Sequence, residues 1–116
     1  MYVTTHILNV AHGIPASGVK VEFWHVDANG KRTFKEASQT NEDGRLDEPI
    51  LFREAQCTGV YELLFYIGDY YRAIGERLPD PAFIDKMPLR FGISEAAEYH
   101  VPVMVTPWSF TTLRGS

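Results

Sequence analysis

The sequence predicts an all-β sandwich with one short helix, and three observations carry that expectation. Segments rich in Val, Thr, Ile, Tyr and Phe recur along the 116 residues, turns bearing Gly, Asn, Asp or Pro separate them, and a single stretch has helical character. The length accommodates one hydrophobic core, so residues 1–116 read as a single domain, with no linker, low-complexity tract or internal repeat.

Tyr2 to Val10 is β-prone, and the Gly13-Ile14-Pro15 stretch ends it. Val19 to Val26 follows, with Val19, Val21 and Phe23 alternating against Lys20 and Glu22. Ala28-Asn29-Gly30-Lys31 is a turn, because Asn-Gly tolerates positive φ, and Arg32 to Gln39 returns as its hairpin partner. Asn41-Glu42-Asp43-Gly44 makes a second turn, and Gly59 to Ile67 is a strand. Asp69 is placed to cap a helix over Tyr70-Tyr71-Arg72-Ala73-Ile74, stopped by Gly75. Pro88 to Ile93 is a short strand, and Tyr99 to Thr106 pairs with Ser109 to Leu113 across Pro107-Trp108. Pro102 cannot donate to a ladder, so its strand is expected at an edge or at a bulge.

Composition narrows the function. Eleven Lys and Arg against fifteen Asp and Glu give a net charge of −4 with the cations scattered, which argues against nucleic acid as a partner. No apolar run is long enough for a membrane-spanning helix, and the opening residues lack a basic n-region and a small-residue cleavage site, so a secretory signal is not expected. The single cysteine, Cys57, excludes an intrachain disulfide or a multi-thiolate zinc site and reads as a small buried hydrophobe; a reducing cytoplasm is the expected setting. Neither a phosphate-binding glycine loop nor a nucleophile elbow is present.

Four histidines remain. His12, in a Gly-rich turn, and His25, beside Asp27 at a strand end, read as surface residues. His6 and His100 lie inside strands. Period-two alternation puts Thr4, His6 and Leu8 on one face, and it puts His100, Pro102 and Met104 opposite Val101, Val103 and Val105. The all-valine face is the core candidate, so His100 faces away from it, on a surface apolar enough to be an interface or pocket wall. Residue by residue, each histidine is also compatible with a structural hydrogen bond, and Arg45 with a solvated position after a turn. Two imidazoles without a further ligand at suitable spacing are weak grounds for a metal.

Longer motifs go further. Thr4-Thr5-His6-Ile7-Leu8-Asn9, Gly13-Ile14-Pro15-Ala16-Ser17-Gly18-Val19, Thr40-Asn41-Glu42-Asp43-Gly44-Arg45, Pro88-Leu89-Arg90-Phe91, Tyr99-His100-Val101-Pro102, Thr106-Pro107-Trp108-Ser109 and Arg114-Gly115-Ser116 together resemble the transthyretin-like proteins, the 5-hydroxyisourate hydrolases, in order along the whole chain. The resemblance implies an eight-stranded two-sheet sandwich and a homotetramer whose paired sheets enclose a channel, with an active site at each channel mouth. It implies cofactor-free hydrolysis of 5-hydroxyisourate to a ureido-imidazoline carboxylate in urate degradation. Carried over by position, the candidate catalytic residues are His6, Arg45 and His100, and Leu113, Arg114 and Ser116 are candidate substrate-binding residues of the terminal signature. The family has Tyr where this chain has Leu113, and Asp where it has Asn9. Alternation from Thr111 points Leu113 toward the channel wall. The chemistry expected is removal of a water proton by neutral His6 or His100, with Arg45 presenting N–H donors to the oxygen that becomes anionic. The same fold also serves as a carrier of hydrophobic ligands. Leu113 favours that alternative or a retuned substrate, whereas the two imidazoles and the guanidinium favour the enzyme. A purely structural interaction domain is the third reading.

Overall fold

The computed structural model describes residues 1–51 and 57–115. Two sheets face each other. The first joins β1 (Tyr2–Asn9), β2 (Ile14–Pro15), β5 (Ile50–Leu51), β8 (Glu98–Val105) and β9 (Phe110–Thr112), and the second runs in the order β4 (Arg32–Gln39), β3 (Lys20–Val26), β6 (Gly59–Tyr66), β7 (Lys86–Ile93). The two-sheet sandwich with one short helix is the expected one, but the described strands number nine rather than eight: seven of three residues or more, and the dipeptide strands β2 and β5 paired along the outer side of β1.

The interior follows from alternation. Val3 and Ile7 of β1, Val101, Val103 and Val105 of β8, Val21 and Phe23 of β3, and Leu63 and Phe65 of β6 are all buried between the sheets. Removing such side chains from water is the main favourable term of folding. Cys57 is also buried, as read from the sequence. Among the described residues no helix is long and apolar enough to cross a membrane.

Two local expectations are revised, and a third position, Asn9, is given its role. The helix α1 spans Ile67–Ala73, three residues earlier than Asp69 capping implied, and no side chain caps it. Its first N–H groups, Ile67 and Gly68, both donate to the Asp85 carbonyl at 2.9 Å, so Asp69 falls in the first turn and pairs with Arg72 instead. Pro102 lies on an interior strand, since β8 is parallel to β1 on one side and antiparallel to β9 on the other. The His100 carbonyl faces the tail, accepting from Gly115, so Pro102 two residues on faces the same side, and there the β9 ladder is interrupted after Thr112. Thr112 Oγ1 donates to the Pro102 carbonyl at 2.9 Å across the gap. Third, Asn9 is a core residue. Its amide donates to Tyr70 Oη at 3.1 Å and accepts from Tyr71 Oη at 2.8 Å, tying α1 to β1 with both a donor and an acceptor, which a carboxylate lacks. Burial, with smaller contributions from Tyr70 and Glu76, pushes the Tyr71 phenol up to about 12.

Candidate active site

The site grows out of the parallel pairing of β1 with β8. β1 and β8 run side by side in continuous register, with Thr4 opposite His100 and His6 opposite Pro102. In β1 the alternation holds throughout: Thr4, His6 and Leu8 are half-buried on the outer face, and Val3, Thr5, Ile7 and Asn9 are buried inside. β8 repeats it, with His100, Pro102 and Met104 outward. His6 and His100 thus share one face of adjacent strands, their Cα atoms about 8 Å apart on strand geometry.

Arg45 arrives from the other side of β1. Asn41 Oδ1 accepts from the Asp43 and Arg45 backbone N–H groups at 2.9 and 3.2 Å, closing the Asn-Glu-Asp-Gly turn, and the Gly44 carbonyl accepts from Ile7 N–H at 2.8 Å. An isolated antiparallel bridge then sets Arg45 against His6. Gly44 is required twice over: its φ is +77°, and a Cβ there would stand 2.3 Å from the Ile7 carbonyl.

The tail closes the third side. Gly115 N–H donates to the His100 carbonyl at 2.7 Å, and a Cβ on Gly115 would lie 2.7 Å from His100 Cδ2, so only glycine lets the tail lie against the imidazole. Arg114 stacks on Tyr99, with its guanidinium carbon 4.1 Å from the ring centroid, and donates to the Glu98 carbonyl at 3.4 Å.

Tyr2, Thr4, Arg45, Glu98, His100, Arg114 and Gly115 line one polar pocket of about 530 Å³. Of the residues expected from the sequence, the fold therefore brings Arg45, His100 and Arg114 together, with His6 at the edge, two residues along β1 from Thr4. Leu113 does not follow the alternation from Thr111, because β9 ends at Thr112. It lines a separate apolar groove of about 310 Å³ with Leu89, Phe91, Tyr99 and Val101, between β7 and the tail. Ser116 lies outside the described residues. Tyr2, Thr4 and Glu98 were not singled out from the sequence, although alternation from His6 and His100 places all three on the same outer face. His12 and His25 lie away from this pocket, His12 paired with Glu76 at 2.6 Å and His25 packed edge-on against Tyr61.

The electrostatics favour a neutral imidazole. Burial first, then the Arg45 guanidinium, then His6, hold His100 below the ordinary histidine value. Thr4 Oγ1 lies 2.8 Å from His100 Nδ1. A neutral imidazole next to a guanidinium that no ion pair takes up among the described residues is suited to taking a proton from water while a developing oxyanion is stabilised. Among the described residues, no cluster of three or more His, Cys, Asp or Glu could hold a metal ion.

Comparison with known proteins agrees with this architecture. The model of the HIUase/Transthyretin family matches residues 3–115. The 5-hydroxyisourate hydrolase of Pseudomonas aeruginosa is 48% identical over 114 residues, covering 97% of this chain and 90% of that protein. Among solved structures, an (S)-allantoin synthase superposes with a TM-score of 0.89 at 36% identity over 99% of this chain, which spans 43% of that longer protein. Sea bream transthyretin, solved with thyroxine, gives a TM-score of 0.85 over 99% of this chain and 95% of its own, and at 20% identity it speaks for the fold alone. A matched model that runs from the first strand to the tail glycine, over the sandwich just described, places this chain in the HIUase/Transthyretin family.

Proposed function

We propose that the chain hydrolyses 5-hydroxyisourate, opening a ring amide to give a ureido-imidazoline carboxylate in urate degradation, without a cofactor. The observation that carries this reading is the Arg45 guanidinium beside a His100 imidazole held neutral in one polar pocket. The substrate is small, polar and rich in carbonyls, so a pocket of about 530 Å³ walled by two arginines matches its chemistry. A water attacks the ring carbonyl as an imidazole takes its proton, and Arg45 donates to the oxygen that gains charge. The proton then passes to the ring nitrogen that leaves, and the C–N bond breaks. His6, His100 and Arg45 are the proposed catalytic groups. Arg114, with Ser116 of the terminal signature, is proposed to bind substrate, and Leu113 bounds the neighbouring apolar groove.

We assign the working form as a homotetramer in the cytoplasm. The outer face of the first sheet carries Leu8, Pro102 and Met104 beside the imidazoles, and burying it against further copies removes apolar surface from water. Light scattering should return four times 13.2 kDa at micromolar concentration. A monomer mass there would remove the channel from the proposal.

The deciding experiment adds the protein to freshly generated 5-hydroxyisourate and follows its ultraviolet decay. Acceleration over the spontaneous rate is expected. Decay at the spontaneous rate with micromolar protein would instead favour a carrier of apolar ligands, a reading that rests on Leu113 and its groove and predicts tight binding of hydrophobic fluorescent probes.

A further inference from the structure

Both strands of the parallel pair present a polar side chain at the same level, Thr4 on β1 and His100 on β8, and the two are register partners. Their side chains meet: Thr4 Oγ1 is 2.8 Å from His100 Nδ1. The opposite edge of the imidazole is closed by Gly115, where no Cβ fits. The ring therefore has a fixed position between a hydroxyl and a glycine, and one of its nitrogens is already engaged.

We infer that Thr4 is a positioning residue for His100: its hydroxyl oxygen accepts the Nδ1 proton, which fixes the tautomer that leaves the Nε2 lone pair free to take a proton from the attacking water. This rests on the hydrolase reading above and assigns the base that sequence leaves open between two histidines. A neutral imidazole has one donor and one acceptor nitrogen, and the bond made by the first sets the role of the second. Thr4 lines the open pocket, so its own hydroxyl proton has water or substrate to meet, and its oxygen is available to Nδ1–H. The adjacent buried threonine behaves differently. Thr5 faces the core and donates to the Val101 carbonyl at 2.7 Å, which locks its strand without touching an imidazole. Of two consecutive threonines, one serves the sheet and the other the site.

The groups that bear on His100 are His6 and Tyr2 from β1, Arg45 from the turn against β1, Glu98 from its own strand and Arg114 from the tail. Thr4 is uncharged, so replacing it alters the hydrogen bond and leaves this field in place.

Thr4→Val keeps the branched shape, and Thr4→Ser keeps the hydroxyl. Losing one neutral hydrogen bond should lower kcat by roughly three- to tenfold. KM should stay near the parent value, and Thr4→Ser should restore most of the rate. The acid limb of the Thr4→Val profile should move to lower pH, because the imidazolium loses an acceptor for its Nδ1 proton. Nitrogen chemical shifts of the His100 ring, measured on ¹⁵N-labelled protein above pH 8, give a second readout independent of turnover. The parent should show a protonated Nδ1 and a bare Nε2, and Thr4→Val a mixture. An Nε2–H tautomer in the parent, an unchanged kcat in Thr4→Val, or a loss that serine fails to restore overturns the assignment. A parent protein that leaves 5-hydroxyisourate decay unaccelerated overturns the hydrolase reading instead, and the ring nitrogen shifts then still decide the hydrogen bond.

Discussion

On the outward face of the second sheet, the charges around Glu62 and Glu22 are answered by their neighbours. Glu62 is buried there between Arg32 at 3.1 Å and Arg90 at 3.4 Å, Arg32 also covers the Trp24 ring, and Lys20 and Lys86 both stand over Tyr66, whose hydroxyl donates to Glu22. The outward face of the first sheet is built the other way. It sets Arg45 beside two imidazoles, and among the described residues no ion pair takes up the guanidinium. Neighbouring charges that satisfy each other hold a surface together. A cation with no acidic partner among the described residues keeps its donors for something that arrives from solution. The difference separates a face that stabilises the fold from the face proposed to act.

The sharpest way to break this contrast is at His100. His100→Asn should lower kcat by roughly 10²- to 10⁴-fold, the range for loss of a general base, with little change in Tm; near-full activity would return His100 to a structural role. The same base can be silenced reversibly with acid. Because its pKa is depressed, kcat/KM should hold through the ordinary histidine range near 6.5 and fall only below it. The folded form also prefers the neutral ring, so the His100 contribution to stability is present above about pH 6.5 and is lost as pH falls through the lower folded value. An acid limb centred above the ordinary value would contradict the arrangement.

Arg45→Lys keeps the charge but loses the planar fork of donors. Hydrogen bonds to charged groups are worth about 1.5–3 kcal/mol, so a loss of roughly ten- to a hundredfold in kcat/KM is expected. On the opposite face the signature reverses. Glu62→Gln should cost about 1–2 kcal/mol, less than a fully buried pair because both arginines reach solvent, and should leave kcat unchanged. Thermal unfolding beside a rate assay checks both halves, and an unaltered Tm with reduced turnover would erase the distinction between the faces. The smallest effect is expected at Leu113. Leu113→Tyr should raise kcat/KM by roughly threefold to tenfold if a phenol at the pocket margin orients substrate. An unchanged rate with weakened probe binding would assign the apolar groove to a ligand of its own.

Alternation made the outer face readable in advance, since Thr4-His6-Leu8 and His100-Pro102-Met104 carry a period of two through eight-residue strands. The parallel pairing that makes these two rows neighbours was invisible to periodicity, because register between strands that distant depends on the whole topology. Helix α1 begins at Ile67 through a backbone carbonyl of Asp85, a partner that local sequence does not reveal, so Asp69 looked like a cap. Dipeptide strands such as Ile14–Pro15 have no period to detect. Arg45 was legible only through the motif it ends, and its residue type carried no signal until Gly44 was seen pressed against the Ile7 carbonyl. Leu113 was misdirected by extending a strand pattern past the point where Pro102 breaks the ladder.

The pairing of β1 with β8 has a consequence for how the site comes into being. Thr4 and His100 are 96 positions apart along the chain, so the imidazole meets its hydroxyl only after a loop of nearly the full chain has closed. Sandwiches dominated by such non-local contacts fold slowly, and rates on the order of milliseconds to seconds rather than microseconds are expected for this chain. No fragment lacking either the first strand or the last long one can hold the pocket, and fraying of one strand from the other would abolish it before the second sheet had begun to open.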